Sequence, residues 1–195
     1  MDLRWYGDDI NRIPALAQEL VGLQPDIIVT GSTPTSIAVQ RETRTIPIVS
    51  SLSDPVSTGI VPRLDRPSGN ITGFASVEAS VGGKWLELLS EIAPGLKRAT
   101  VMFNPDAAPA SAYIPSLETA ARSLKVATII APIHSDVEIE TTIIAIGSEP
   151  GGGLVVMPDF FMAAHRASMI LAAARNNVPA VYWQSLFARD GGLLS

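Results

Sequence analysis

Three aspartates carry the sharpest chemical signal in this 195-residue chain. Asp54, Asp106 and Asp159 each follow an apolar run and stand beside proline, in Ser53-Asp54-Pro55, Asn104-Pro105-Asp106 and Pro158-Asp159. A carboxylate just after a strand either caps the next helix or meets a polar ligand, and Asp54 and Asp106 read first as caps. Asp159 differs, because Phe160 and Phe161 follow it. A carboxylate beside an aromatic wall suits the ammonium of an amino acid with an apolar side chain. Tyr182-Trp183-Gln184 would add further wall and an amide, although the same aromatics serve equally as core. Hydroxyls form the second signal. Thr30-Gly31-Ser32-Thr33 and Ser50-Ser51-Leu52-Ser53 each end an apolar run, with Pro34 and Pro55 close behind. Hydroxyl followed by proline is a helix-start pattern, with Thr33 as the expected cap. The exposed N–H groups of a helix start favour an anion such as a carboxylate.

The catalytic patterns are absent. There is no G-x-S-x-G, no Walker glycine-lysine loop and no G-x-G-x-x-G. Gly151-Gly152-Gly153 precedes a strand, so it reads as a loop and not as a phosphate cradle. Zero cysteines exclude disulfides, thiolate nucleophiles and Cys-based zinc sites. The two histidines, His134 in an expected turn and His165 on an expected helix surface, lack metal-ligand spacing. A Ser-His-Asp triad needs no adjacency in sequence, so the sequence leaves it open. Net charge is −5 with no basic cluster, which argues against nucleic acid and anionic membrane as partners. No apolar run reaches the length of a membrane span, and Met1-Asp2-Leu3-Arg4-Trp5-Tyr6 has no apolar signal region.

The elements that position these groups repeat one grammar. With 47% hydrophobic and 17% charged residues, the chain has material for a substantial core. Short apolar runs at 26–29, 46–49, 71–74, 99–103, 126–131, 154–157 and 178–183 read as strands, with 26–29 suited to burial on both faces and 99–103 and 154–157 read as buried. Residues 3–6 read as a further short strand. Helices are expected at 11–23, 34–42, 58–64, 81–92, 110–124, 136–146 and 161–176. Trp85, Leu88, Leu89 and Ile92 are the expected inner face of the fourth of these. Tyr113, Leu117, Ala120 and Leu124 are that of the fifth. Gly73 suits a close backbone approach or a bend. Strand, polar turn and helix in alternation define an α/β fold with parallel sheets. The break near 71–79 divides it into two similar lobes, 1–74 and 75–195. Polar strand ends in both lobes describe a cleft that closes on a small ligand.

The runs PDIIVTGSTPTSIAVQ, TIPIV, SDPVSTGIV, RPSGNITGF, KWLELLSEIAPGLKR, VMFNP, LVVMPD and VPAVYW together resemble the substrate-binding proteins of ABC-type importers. They are closest to the family with binders of tryptophan, tyrosine and phenylalanine. The resemblance implies a type I periplasmic-binding fold with two Rossmann-like lobes joined by a hinge, a periplasmic location, an inner-membrane ABC permease as partner, no cofactor, no metal and no catalysis. It implies a ligand site of Ser32, Thr33, Thr35, Ser53, Asp54, Pro55, Ala75, Ser76, Asn104 and Asp159. The first lobe would meet the carboxylate of an amino-acid ligand and Asp159 its ammonium. Such proteins also carry segments before and after the stretch matched, so the resemblance implies a chain truncated at both ends. The strand at 26–29 would then lack a neighbour. Two alternatives stand beside it. One is the ligand-sensing core of a transcription regulator, which shares the fold and needs a helix-turn-helix segment. The other is a small α/β enzyme using Asp159.

Overall fold

The computed structural model describes residues 1–7, 9–52, 54–75, 77–107 and 112–195. The chain forms two compact units, Met1–Glu78 and Ala79–Ser195.

The first unit is a three-stranded parallel sheet in the order β1-β2-β3, from β1 (Ile28–Thr30), β2 (Ile48–Leu52) and β3 (Ile71–Ala75). Helices α1 (Ile13–Gly22) and α2 (Thr33–Glu42) pack together and cover one face. Ala17, Ile28, Val39, Ile48, Leu52 and Ile71 form the core there. The opposite face bears Val29 and Phe74, which are 73% and 75% exposed. Alternation in these strands is therefore one-sided, contrary to the two-sided burial read from the sequence for 26–29. β1 lies at an edge of this sheet.

Gly73 accounts for the close pairing of β2 and β3. It pairs with Ser50, and a Cβ on it would lie 1.8 Å from the Ser50 carbonyl oxygen. The close-approach reading of this glycine holds.

The second unit is a four-stranded parallel sheet in the order β5-β4-β6-β7, from β4 (Arg98–Phe103), β5 (Ala127–Pro132), β6 (Gly152–Val156) and β7 (Ala180–Val181). Its centre is buried on both faces: Ala99, Val101, Met102, Leu154, Val155 and Val156 are enclosed. Helices α3 (Gly82–Ile92) and α4 (Ile114–Leu124) pack together. Gly82 and Gly83 make this possible, since Cβ atoms there would come within 3 Å of Tyr113 O and Ser116 O respectively. α5 (Asp136–Gly147) packs on α7 (Arg166–Arg175). Ile139, Ile143, Met169, Ala173 and Phe187 meet Leu154 and Val156 in the second core layer. Each such Ile or Phe contributes about 1.5–3 kcal/mol by leaving water. The remaining helices are α6 (Phe160–Ala164) and α8 (Ser185–Arg189), the latter without a sequence signal.

Several expectations are corrected. Residues 3–6 form no strand, and Trp5 and Leu3 are exposed. No helix occupies 58–64: Asp54 and Pro55 open a series of turns, and Pro62 keeps the chain beyond them from winding into a helix. Leu86, not Leu88 or Ile92, joins Trp85 and Leu89 inside, because the face of α3 turns toward α4. On α4 the inner residues are Leu117 and Ala121, while Leu124 is partly exposed; position 110, the expected helix start, lies outside the described residues. Gly152 and Gly153 belong to β6, paired with Arg98 and Ala99. The helix expected at 161–176 is two helices, broken at His165.

Candidate functional site

In parallel sheets the carboxyl ends of all strands share one edge, and ligands bind there. The candidate residues of each unit gather at that edge. In the first unit, Ser32, Thr33 and Thr35 follow β1; Asp54 and Pro55 follow β2; Ala75 ends β3, paired with Leu52. Ser53 and Ser76 lie outside the described residues.

The cap of α2 is Ser32, not Thr33. Ser32 is extended, as a cap must be, and its Oγ accepts from Thr35 N at 3.3 Å. Thr35 Oγ1 in turn accepts from Ser32 N at 3.2 Å. The box is closed on itself, which pins the first turn of α2. Thr33 is the first helical residue. It is 92% buried and makes no hydrogen bond through its hydroxyl among the described residues.

Behind this turn lies a set of hydroxyls that the sequence alone does not assemble. Thr30, Ser36 and Ser50 are buried, with Thr30 Oγ1 2.7 Å from both Ser36 Oγ and Ser50 Oγ. Ser36 Oγ donates to Ser32 O at 2.8 Å. Each hydroxyl has one proton, so the consistent order is Ser50 to Thr30 to Ser36 to Ser32 O. The chain of bonds ties the ends of β1 and β2 to the start of α2. The signal is present as two hydroxyl runs, Thr30 to Thr33 and Ser50 to Ser53, but their pairing depends on the register Thr30↔Ser50.

Asp54 is half-buried and accepts from Ser57 N at 3.1 Å, so it caps a turn. Pro55 is buried and Ala75 exposed. Both line a cavity of about 60 Å³ with Leu52, Ile60 and Phe74. It falls short of the roughly 150 Å³ that accommodates a benzene ring.

In the second unit, Asn104 follows β4 and Asp159 follows β6. The fold joins them: Asp159 Oδ2 accepts from Asn104 N at 2.9 Å, while Oδ1 accepts from Met162 N at 2.6 Å. Asp159 thereby caps α6. It is 95% buried, and burial pushes its carboxyl up to about 6, against the opposing pull of the backbone N–H donors and His165. Asn104 Oδ1 accepts from Asp106 N at 2.8 Å and Ala107 N at 3.0 Å, which closes the turn after β4.

The aromatic residues near Asp159 divide. Phe161 and Trp183 pack against the core, whereas Phe160 is 46% exposed. His165 is not a surface residue as expected. Its side chain is 18% exposed, its ring lies 4.2 Å from that of Phe161, and Nδ1 is 2.9 Å from Asp136 Oδ1. His134 is half-exposed between Asp106 and Glu138, 3.6 Å from each. Neither histidine bonds a hydroxyl, and no group of three His, Asp or Glu residues suits a metal, among the described residues.

Two parallel α/β units with polar side chains at their strand ends define an α/β protein of the open-sheet class, in which ligands bind at the carboxyl edge of the strands. The chain belongs to the ABC transporter substrate binding protein family, which matches residues 6–195. The fold is that of the type I periplasmic binding proteins. A tyrosine-binding protein of Clostridioides difficile (strain R20291) is 27% identical over 147 residues, 73% of this chain and 41% of that protein. A conserved domain protein from Vibrio cholerae O1 biovar eltor superposes with a TM-score of 0.84 at 26% identity, over 95% of this chain and 62% of that one. An ABC domain from Streptococcus pneumoniae in complex with L-Trp superposes with a TM-score of 0.83 at 18% identity, over 96% and 64%. The latter likeness is one of fold. The chain thus spans less than two thirds of the length of each of these relatives.

Proposed function

We propose that this chain captures an amino acid as the solute-binding component of an ABC-type importer, with no chemical step. In this reading the ligand lies between lobes 1–74 and 75–195, against Ser32, Thr33, Thr35, Ser53, Asp54, Pro55, Ala75, Ser76, Asn104 and Asp159. The protein works in the periplasm and hands its cargo to an inner-membrane permease. The observation that carries the reading is the collection of polar groups at the carboxyl edge of both sheets, in a chain of the substrate-binding family. The name of the tyrosine-binding relative supports an aromatic amino acid as the ligand class.

A thermal-shift screen against the twenty amino acids, with sugars and nucleobases as controls, tests it. A ligand at about 100 times its dissociation constant adds roughly 2.7 kcal/mol. For a chain of this size that is a rise of about 5–10 °C. A rise confined to a few amino acids is expected. A cooperative transition that no amino acid moves overturns the reading.

A further inference from the structure

The carboxylate of Asp159 is committed to the main chain. Oδ2 accepts from Asn104 N and Oδ1 from Met162 N, the Phe161 N–H also favours the anion, and the group is 95% buried. The Asn104 side chain is committed on one side only. Its Oδ1 takes the N–H groups of Asp106 and Ala107, which fixes the orientation of the amide. Nδ2 has no partner among the described residues and is not one of the fully enclosed polar atoms. The two residues thus form a relay. Asp159 grips the backbone of Asn104 from the neighbouring strand, and Asn104 presents two N–H donors at the strand-end edge.

We infer that Asp159 is a positioning residue that acts through Asn104, and that the solute meets this edge with a hydrogen-bond acceptor, a carboxylate or a hydroxyl oxygen. The inference rests on the solute-binding reading proposed above and changes the role of Asp159 within it. An ion pair between Asp159 and a ligand ammonium would need a carboxylate facing out. Here both oxygens face the N–H groups of the β4 turn and of α6. An amide donor also discriminates, since a solute lacking the acceptor leaves Nδ2 desolvated and unpaired.

The test is a double-mutant cycle in the full chain with Asp159→Asn, Asn104→Ala and the pair. Calorimetric titration uses L-tyrosine and its des-amino analogue 3-(4-hydroxyphenyl)propionate. Asp159→Asn is expected to weaken both probes by the same factor, about tenfold, and to cost nothing further in the Asn104→Ala background. Loss of tyrosine affinity alone, in both backgrounds, is the signature of a direct ion pair and overturns the inference. Where the wild-type protein binds neither probe, the relay is decided on the free protein by NMR, while the solute-binding reading stands or falls with the screen of all twenty amino acids. The backbone and side-chain amide signals of Asn104 are expected to titrate with the Asp159 carboxyl, and to lose that titration in Asp159→Asn. Asn104 signals that ignore the Asp159 titration overturn it. The titration itself uses wild-type protein and does not require either variant to fold.

Discussion

Asp159 should make the second unit less stable as pH rises through 6. In an unfolded chain its carboxyl ionises near 3.8; in the fold, burial moves this to about 6. Between those values the folded state holds a proton that the unfolded state has released. Proton release from the native state is therefore resisted, and the stability present below pH 3.8 is lost as pH climbs from there through about 6. Two effects oppose each other at this site. The backbone N–H groups of Asn104, Met162 and Phe161, with His165, favour the anion, and removal from water disfavours it; the second is larger. The displacement corresponds to roughly 3 kcal/mol. Urea unfolding, followed by the fluorescence of Trp85 and Trp183 in this unit, measures it from pH 3.5 to 7.5. Other carboxylates titrate in the same window, so the quantity of interest is the difference between wild type and Asp159→Asn, in which they cancel. The stability of wild type relative to the variant is expected to fall by about that amount from acid to neutral pH. Parallel curves, or a wild type that gains on the variant, would show that the backbone N–H groups match or outweigh burial and would refute the reasoning.

Other perturbations have equally definite outcomes. Gly73→Ala drives a Cβ into the Ser50 carbonyl and should cost the first unit upwards of about 3 kcal/mol by chemical denaturation. Gly22→Ala, with nothing within 4 Å at the end of α1, should be neutral or stabilise by up to about 1 kcal/mol. Thr30→Val keeps the shape but breaks the hydroxyl relay, and should cost about 1–2 kcal/mol and weaken solute binding by loosening the Ser32 turn. Ile143→Ala, fully enclosed in the second unit, should cost about 2–5 kcal/mol with no change in the stability of the first unit.

The α/β grammar was legible because it is written in local chemistry. Apolar β-branched runs, terminal hydroxyls and prolines at helix starts mark where each strand stops and each helix begins. Thr33 to Glu42 shows the strength of such signals, and its cap shows their limit. Ser32 and Thr33 can both cap, serine the better, and in the fold it is Ser32 Oγ that accepts from Thr35 N. Asp54-Pro55 carried the same signature as Thr33-Pro34 but opens only turns, since Pro62 and the positive φ of Gly59 break any helix beyond it. The break at His165 was invisible because no proline or glycine marks it; the pair with Asp136 on another helix holds it. At the site, strand-end position was legible and partnership was not. That Asp159 reaches Asn104, 55 residues away, follows from β4 and β6 being neighbours in the sheet.

The most direct test of solute binding is calorimetric titration of the purified chain with L-tyrosine, L-tryptophan and L-phenylalanine, with L-glutamate and glucose as controls. One-site binding of at least one aromatic amino acid in the micromolar range or tighter, about −8 kcal/mol, with no heat from the controls, is the predicted result. A folded protein, shown by a cooperative urea transition, that gives no binding heat with any of the three amino acids would contradict it.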